Sequence, residues 1–203
     1  MIKLVLFDLG GVIIKVPDDE NYKRLGKISG TSPAYAERVV KEEAEPFESG
    51  KITLKEFEKR VAGILGIKPS EVRWLQFFKK TAKPDNAMVE LVTELKRNYT
   101  VAYLSNADRW RYEHVRNHVI RGFADLFDYK FVSFKLGCVK PYSPIYKKVL
   151  SKLKLKPSEV IFIDNIAKNV SGARAVGINS IIFTGIKKLE SDLARLGIKF
   201  NKV

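Results

Sequence analysis

Asp8 is the lone acid of FDLGGVI, residues 7–13, where an apolar run that begins at Ile2 gives way to two glycines. A carboxylate is costly to bury unless it is paired or used. Asp8 therefore either caps the turn that follows or serves as a nucleophile at the end of a strand. Three further stretches supply groups that a reacting carboxylate would use. LSNAD, residues 104–108, carries the Ser105 hydroxyl and the Asn106 amide. KLGCVKP, residues 135–141, carries the Lys140 ammonium. FIDNIAKN, residues 162–169, carries Asp164 and Asn165. Such a set could hold the oxygens of an anion while a nucleophile attacks it. Taken singly, each residue has an ordinary use: Ser105 in a turn, Lys140 on the surface, Asp164 as the cap of a helix starting near Ile166.

The elements that must position these residues can be read from periodicity. IKLVLF (2–7), TVAYLS (100–105), YKFVSF (129–134), EVIFID (159–164) and NSIIFT (179–184) are short apolar runs rich in β-branched and aromatic types, the pattern of buried strands. NAMVELVTELKR (86–97) places Met88, Leu91, Val92 and Leu95 on one helical face. SPIYKKVLSKL (143–153) reads as a helix with Ser143 at the N-cap and Pro144 at its first position. AKNVSGARAVG (167–177) reads as a helix closed by Gly177. Alternating strands and helices predict an α/β fold, a Rossmann-like parallel sheet covered on both faces. Ligands of such sheets bind beyond the carboxyl ends of the strands, where Asp8, Ser105 and Asp164 all fall.

One region breaks the alternation. Residues 17–84 show no convincing strand and instead predict helices near 20–28, 32–44, 53–64 and 70–80. TLKEFEKRVAGIL (53–65) has Thr53 and Glu56 in a capping-box pattern, with Leu54, Phe57, Val61, Ile64 and Leu65 on one face. The expected division is a core of residues 1–16 and 85–203 and a small helical unit of residues 17–84. The aromatic run RWLQFF (73–78) is expected to pack inside that unit, a binding role for Trp74 or Phe78 being the alternative.

With these motifs in place, the chain resembles the haloacid dehalogenase-like hydrolase superfamily over nearly its whole length. FDLGGV resembles the first motif, LSNA the second, the Lys-Pro of VKP the third and FIDNIAKNVSGARAVG the fourth. The helical unit sits where this superfamily carries a mobile cap. FESGKIT (47–53) is similar to the subgroup that contains small sugar-phosphate phosphatases and the phosphatase domain of soluble epoxide hydrolases. The resemblance implies a Mg²⁺-dependent phosphatase acting on a small phosphorylated metabolite. Asp8 would be the nucleophile, and Ser105, Asn106 and Lys140 would hold the phosphoryl oxygens with help from the Gly10–Gly11 backbone. Asp8, the Gly10 carbonyl, Asp164 and Asn165 would form the metal site. Substrate choice would fall to cap residues such as Tyr22, Phe47 and Trp74.

Two positions depart from the family's pattern. Its phosphatases carry a second acid two residues after the nucleophile, and here that position is Gly10. General acid–base help of this kind is worth ~10²–10⁴-fold, so alkyl phosphates should suffer most. Subgroup members with Asp-x-Gly-Gly or Asp-x-Gly-Asn in this motif resemble working phosphatases. Asp18, Asp19 and Asp108 are the candidates to take over part of the role. At the second departure, Asn165 replaces an acid that binds metal in many relatives, leaving a neutral oxygen donor. His114 and His118 share a helical face but lack a third ligand, and read as surface or packing residues.

Composition narrows the classes. The single cysteine, Cys138, excludes a disulfide framework, and no apolar stretch is long enough to span a membrane. The expectation is a soluble cytoplasmic protein, monomeric or homodimeric. A formal charge of +14 ranks a general basic, hyperthermophile-like surface first, anionic small molecules second and nucleic acid third. Two alternatives stand beside the phosphatase: a metal-independent 2-haloacid dehalogenase of the same fold, and a phosphate-binding or regulatory relative without turnover. The dehalogenase pattern has a serine-rich sequence at Asp164–Asn165 and an arginine near the nucleophile loop, neither of which is found here.

Overall fold

The computed structural model describes residues 1–16, 18–74, 76, 82–120 and 122–201. Its centre is a five-stranded, wholly parallel sheet of β1 (Leu4–Phe7), β4 (Thr100–Ser105), β5 (Tyr129–Val132), β6 (Val160–Asp164) and β7 (Asn179–Ile182), in the order β5-β4-β1-β6-β7. All four residues of β1 are buried because the strand has neighbours on both edges and helices on both faces. Successive side chains alternate. Val5 and Phe7 join the core formed by α5 (Asn86–Leu95) and α9 (Ile186–Arg195). Leu4 and Leu6 join the core formed by α7 (Ser143–Leu153) and Ala173 of α8 (Ala167–Arg174).

The insertion follows β2 (Ile14–Lys15) and comprises α1 (Asp18–Ser29), α2 (Pro33–Glu48), α3 (Leu54–Leu65) and α4 (Pro69–Val72). Ser32 caps α2, accepting from the Tyr35 N–H, and Thr53 caps α3 as expected, accepting from the Glu56 N–H. Each such cap is worth about 1 kcal/mol. The insertion has its own core, in which Phe47 stacks on Phe57 at 4.6 Å and Trp74 meets Phe57 edge-on at 5.6 Å. Ile64 lies outside the buried face predicted for α3 and is 48% exposed.

Several boundaries differ from expectation for local reasons. β5 stops at Val132 because the buried Ser133 turns away, donating its hydroxyl to the Glu48 carbonyl at 2.6 Å. Ser143 is the first residue of α7, so the cap position falls on Tyr142. α8 closes after Arg174, and the chain leaves it through Gly177 at φ +87°. The region expected to lack strands contains β3 (Lys83–Pro84), which pairs antiparallel with β2. These two short strands carry the chain out of the sheet domain and back side by side. Of the helix expected near 70–80, α4 is found; residues 75 and 77–81, which include Phe78, lie outside the described residues. Among the described residues, no helix is long and apolar enough to cross a membrane.

Candidate active site

Strand register brings the candidate residues together. Phe7 pairs with Tyr103 on one side and with Ile163 on the other. Asp8, Ser105 and Asp164 therefore emerge at one edge of three adjacent strands. The Asp8 N–H donates to the Ile163 carbonyl at 2.8 Å, which continues the sheet up to the carboxylate. The chain then turns sharply, with the Gly11 and Ile14 N–H groups bonded back to Ile14 and Leu9 carbonyls. Gly11 has φ +79°, a left-handed conformation that favours glycine, and a Cβ there would lie 2.3 Å from Asn165 Nδ2, which would have to shift.

Lys140 is the hub. Its Nζ lies 2.7 Å from Asp8 Oδ1 and 2.7 Å from Asp164 Oδ2, and all three side chains are buried. The backbone at Lys140 is held by the Asn106 amide, which donates to its carbonyl at 2.9 Å and accepts from its N–H at 2.8 Å. The loop is braced from the other side by α8. A Cβ on Gly172 would sit 2.1 Å from the Pro141 carbonyl oxygen, so glycine is what allows this approach. The Lys140–Pro141 peptide is cis.

The N-cap position of α8 falls on Ile166, while Asp164 braces the loop before α8 and pairs with Lys140. Oδ1 accepts from the Ile166 N–H at 2.8 Å, and Asn169 Nδ2 donates to both carboxylate oxygens at 3.2 and 3.0 Å. Asn169 was not expected among the site residues. Its sequence signal is an amide five residues beyond a strand-end acid, within the first turn of the helix that follows. Its own carbonyl accepts from the buried Tyr146 hydroxyl at 2.7 Å.

Burial pushes the Asp8 carboxyl up from 3.8 to about 7; Lys140 opposes the shift and Asp164 adds to it. Burial works against the Lys140 ammonium, but Asp8 and Asp164 outweigh it and hold its pKa above the ordinary lysine value. With Asp8 and Asp164 both ionised, two carboxylates share one ammonium, and one negative charge is left uncompensated among buried groups. That is the chemistry of a cation site. The donor set fits Mg²⁺, which takes oxygen ligands, commonly one or two carboxylates with carbonyls and water. Asp8, Gly10 and Asn165 line the cavity with oxygen donors, and Asp164, held behind Lys140 by its hydrogen bonds, would join them by giving one up.

A cavity of about 750 Å³ opens above the cluster, between the sheet edge and the insertion. Asp8, Gly10, Gly11, Ser105, Asn106, Lys140 and Asn165 line its floor, whereas Asp164 lies behind Lys140 and off the wall. A Cβ on Gly10 would meet nothing within 4 Å. Tyr22 and Trp74 reach the cavity from the insertion; Phe47 does not, being part of the insertion's own core.

A second buried cluster forms the join between the insertion and the core. Arg111, from α6 (Arg109–His114), contacts Glu48 Oε1 at 2.6 Å and Asp108 Oδ2 at 2.5 Å. Its guanidinium also lies 5.7 Å over the Trp74 ring. Burial raises the Glu48 pKa, and Arg111 opposes that shift. Burial also works against the Arg111 charge, and Asp108 and Glu48 outweigh it. Of the acids considered as stand-ins at position 10, Asp108 is committed to Arg111 and to capping α6 through the Trp110 and Arg111 N–H groups. Asp19 pairs with Lys23 on an exposed helix face, and the Asp18 side chain lies outside the described residues. His114 and His118 face each other at 5.2 Å, and among the described residues no group of three metal-ligating side chains includes them.

Comparison with known proteins agrees with this arrangement. Residues 2–177 match the family model for haloacid dehalogenase-like hydrolases. D-ribitol-5-phosphate phosphatase of Bacteroides thetaiotaomicron is 25% identical over 194 residues, covering 89% of this chain and 91% of its own length. Sesquiterpene phosphatase astK of Aspergillus oryzae is 30% identical over 190 residues, covering 90% of each. The crystal structure of a HAD family enzyme from Bacteroides thetaiotaomicron, in complex with magnesium and inorganic phosphate, superimposes with a TM-score of 0.71 at 23% identity, over 90% of this chain and 94% of that one. A sheet with this strand order, an insertion after the first strands, and a family match across most of the chain lead to one assignment: the protein belongs to the haloacid dehalogenase-like hydrolases.

Proposed function

We propose that the protein is a Mg²⁺-dependent phosphatase that hydrolyses a small phosphate monoester through an aspartyl-phosphate, with residues 17–84 acting as its cap. The observation that carries this reading is the Asp8–Lys140 pair at the floor of the cavity, with Asp164 behind it. Whole-length similarity to two phosphatases supports it.

In this mechanism an Asp8 carboxylate oxygen forms a bond to phosphorus while the ester P–O bond breaks. The departing oxygen leaves with the bonding pair and takes up a proton. Lys140, Ser105 and the backbone around Gly10 and Gly11 face the phosphoryl oxygens and hold the charge that spreads over them. Asn106 keeps Lys140 in place, and Asp164 aims its ammonium. Water then attacks the aspartyl-phosphate and regenerates Asp8. Asp8, the Gly10 carbonyl, Asp164 and Asn165 would hold a Mg²⁺ ion, whose positive charge would favour ionised Asp8 and offset its repulsion from the phosphate. Gly10 provides no side-chain proton, so phenolic leaving groups are favoured over alkoxides.

The test is hydrolysis of p-nitrophenyl phosphate with Mg²⁺, with a chelator, and with Asp8→Asn. The reading requires turnover that depends on both the metal and Asp8. Gly10 is the observation that favours the second reading, a 2-haloacid dehalogenase, which would release halide from a 2-haloacid in the presence of the chelator.

A further inference from the structure

The cavity wall above the phosphate end has a chemical character of its own. Val16, Tyr22, Val40, Trp74, Tyr112 and Val115 present hydrocarbon and aromatic surface to it. Most of its charged side chains have protein partners. Lys41 holds Glu37 at 2.5 Å, and Glu45 accepts from the Tyr142 hydroxyl. Arg111 is shared between Glu48 and Asp108. The Trp74 indole N–H is a buried donor without a hydrogen-bond partner among the described residues. On the floor, Asn106 and Asn169 are likewise bonded to protein groups, and Lys168 sits on the first turn of α8, on the anion side.

A polyhydroxylated substrate needs a partner for each hydroxyl that it withdraws from water, and an unmet group is costly. Beyond the Tyr22, Tyr103 and Tyr112 hydroxyls, this wall has few partners to give. A hydrocarbon body needs none and gains from leaving water. We infer that the substrate is a phosphate monoester with an apolar alkyl or aryl body seated against Val40, Trp74, Tyr112 and Val115, and not a polyol phosphate. This inference rests on the phosphatase reading and narrows it. Within that class the absence of an acid at Gly10 favours aryl over alkyl esters, since nothing there helps an aliphatic alkoxide leave.

The matched pair that tests it is pentyl phosphate against ribitol 5-phosphate, primary esters with the same carbon count, both assayed with Mg²⁺. A series of 4-alkylphenyl phosphates from methyl to butyl varies apolar size at nearly constant leaving-group acidity. The expected result is a kcat/KM for pentyl phosphate at least about tenfold above that for ribitol 5-phosphate. In the aryl series kcat/KM rises by up to about fourfold per buried methylene, the transfer free energy of one CH₂. A preference for ribitol 5-phosphate, or a flat aryl series, overturns the inference while turnover of p-nitrophenyl phosphate leaves the phosphatase standing. Absence of turnover with every ester, p-nitrophenyl phosphate included, overturns the phosphatase reading itself and this inference with it.

Discussion

The Asn106 side-chain amide spans the backbone of Lys140, donating to its carbonyl at 2.9 Å and accepting from its N–H at 2.8 Å. The end of β4 thereby fixes the loop that delivers the ammonium to Asp8, across 34 positions of sequence. This bracing, more than the lysine alone, sets where positive charge meets the phosphate end of the cavity.

Asn106→Ala removes both bonds. Each is worth about 0.5–1.5 kcal/mol, so the variant should lose roughly 1–3 kcal/mol in chemical denaturation. Inhibition by inorganic phosphate should weaken alongside, because Lys140 is no longer held. A variant of lower stability with unchanged phosphate inhibition would show that Lys140 is positioned by other contacts.

Gly172→Ala would place a methyl group 2.1 Å from the Pro141 carbonyl oxygen, where backbone must move. The expected result is a lower Tm and weaker phosphate inhibition. Gly63 in α3 is the control, since a Cβ there meets nothing within 4 Å. Gly63→Ala should raise stability by about 0.5–1 kcal/mol, the helix preference of alanine over glycine. Equal behaviour of the two variants would contradict the close approach of α8 to the lysine loop.

Gly10→Asp restores a carboxyl at the position where the family places its acid, into space that is open. We expect kcat for alkyl phosphates to rise by roughly 10²-fold or more, with a much smaller gain for p-nitrophenyl phosphate. Equal gains on both substrates, or none, would mean that leaving-group protonation does not limit the wild-type enzyme.

Stability of the metal-free protein should depend on pH through Asp8. Its carboxyl is raised by burial from 3.8 to about 7, so the folded state binds a proton that the unfolded state has released across that window. Stability is then highest at the acid end of the window and falls as pH rises through it. Glu48, also raised by burial, acts in the same direction. The Lys140 shift is expressed only above the ordinary lysine value and lies outside the window. In chelator, the wild-type Tm should drop more between pH 5 and pH 8 than that of Asp8→Asn. Parallel curves for the two proteins would remove Asp8 from this account.

The strand ends were legible from sequence because each is an apolar run cut by a polar residue. Register then needs no further information to set Asp8, Ser105 and Asp164 side by side. Gly10 was legible as an absent acid, and Thr53 as a cap. Long-range polar pairing left no local trace. Ser133 reaches Glu48 across 85 positions and Arg111 reaches it across 63, and neither contact has a periodicity to betray it. The β2–β3 pair is two residues long, too short for an alternating pattern. Asp164 reads from sequence as a helix cap or a metal ligand, and nothing local shows that hydrogen bonds from Ile166 and Asn169 hold it behind Lys140.

The most direct measurement is peptide mass analysis of protein quenched in acid during turnover of p-nitrophenyl phosphate with Mg²⁺. The account predicts a phosphoryl adduct on the peptide that contains Asp8, with neither adduct nor turnover in Asp8→Asn. Turnover that persists in Asp8→Asn, or an adduct located on another residue, would contradict it.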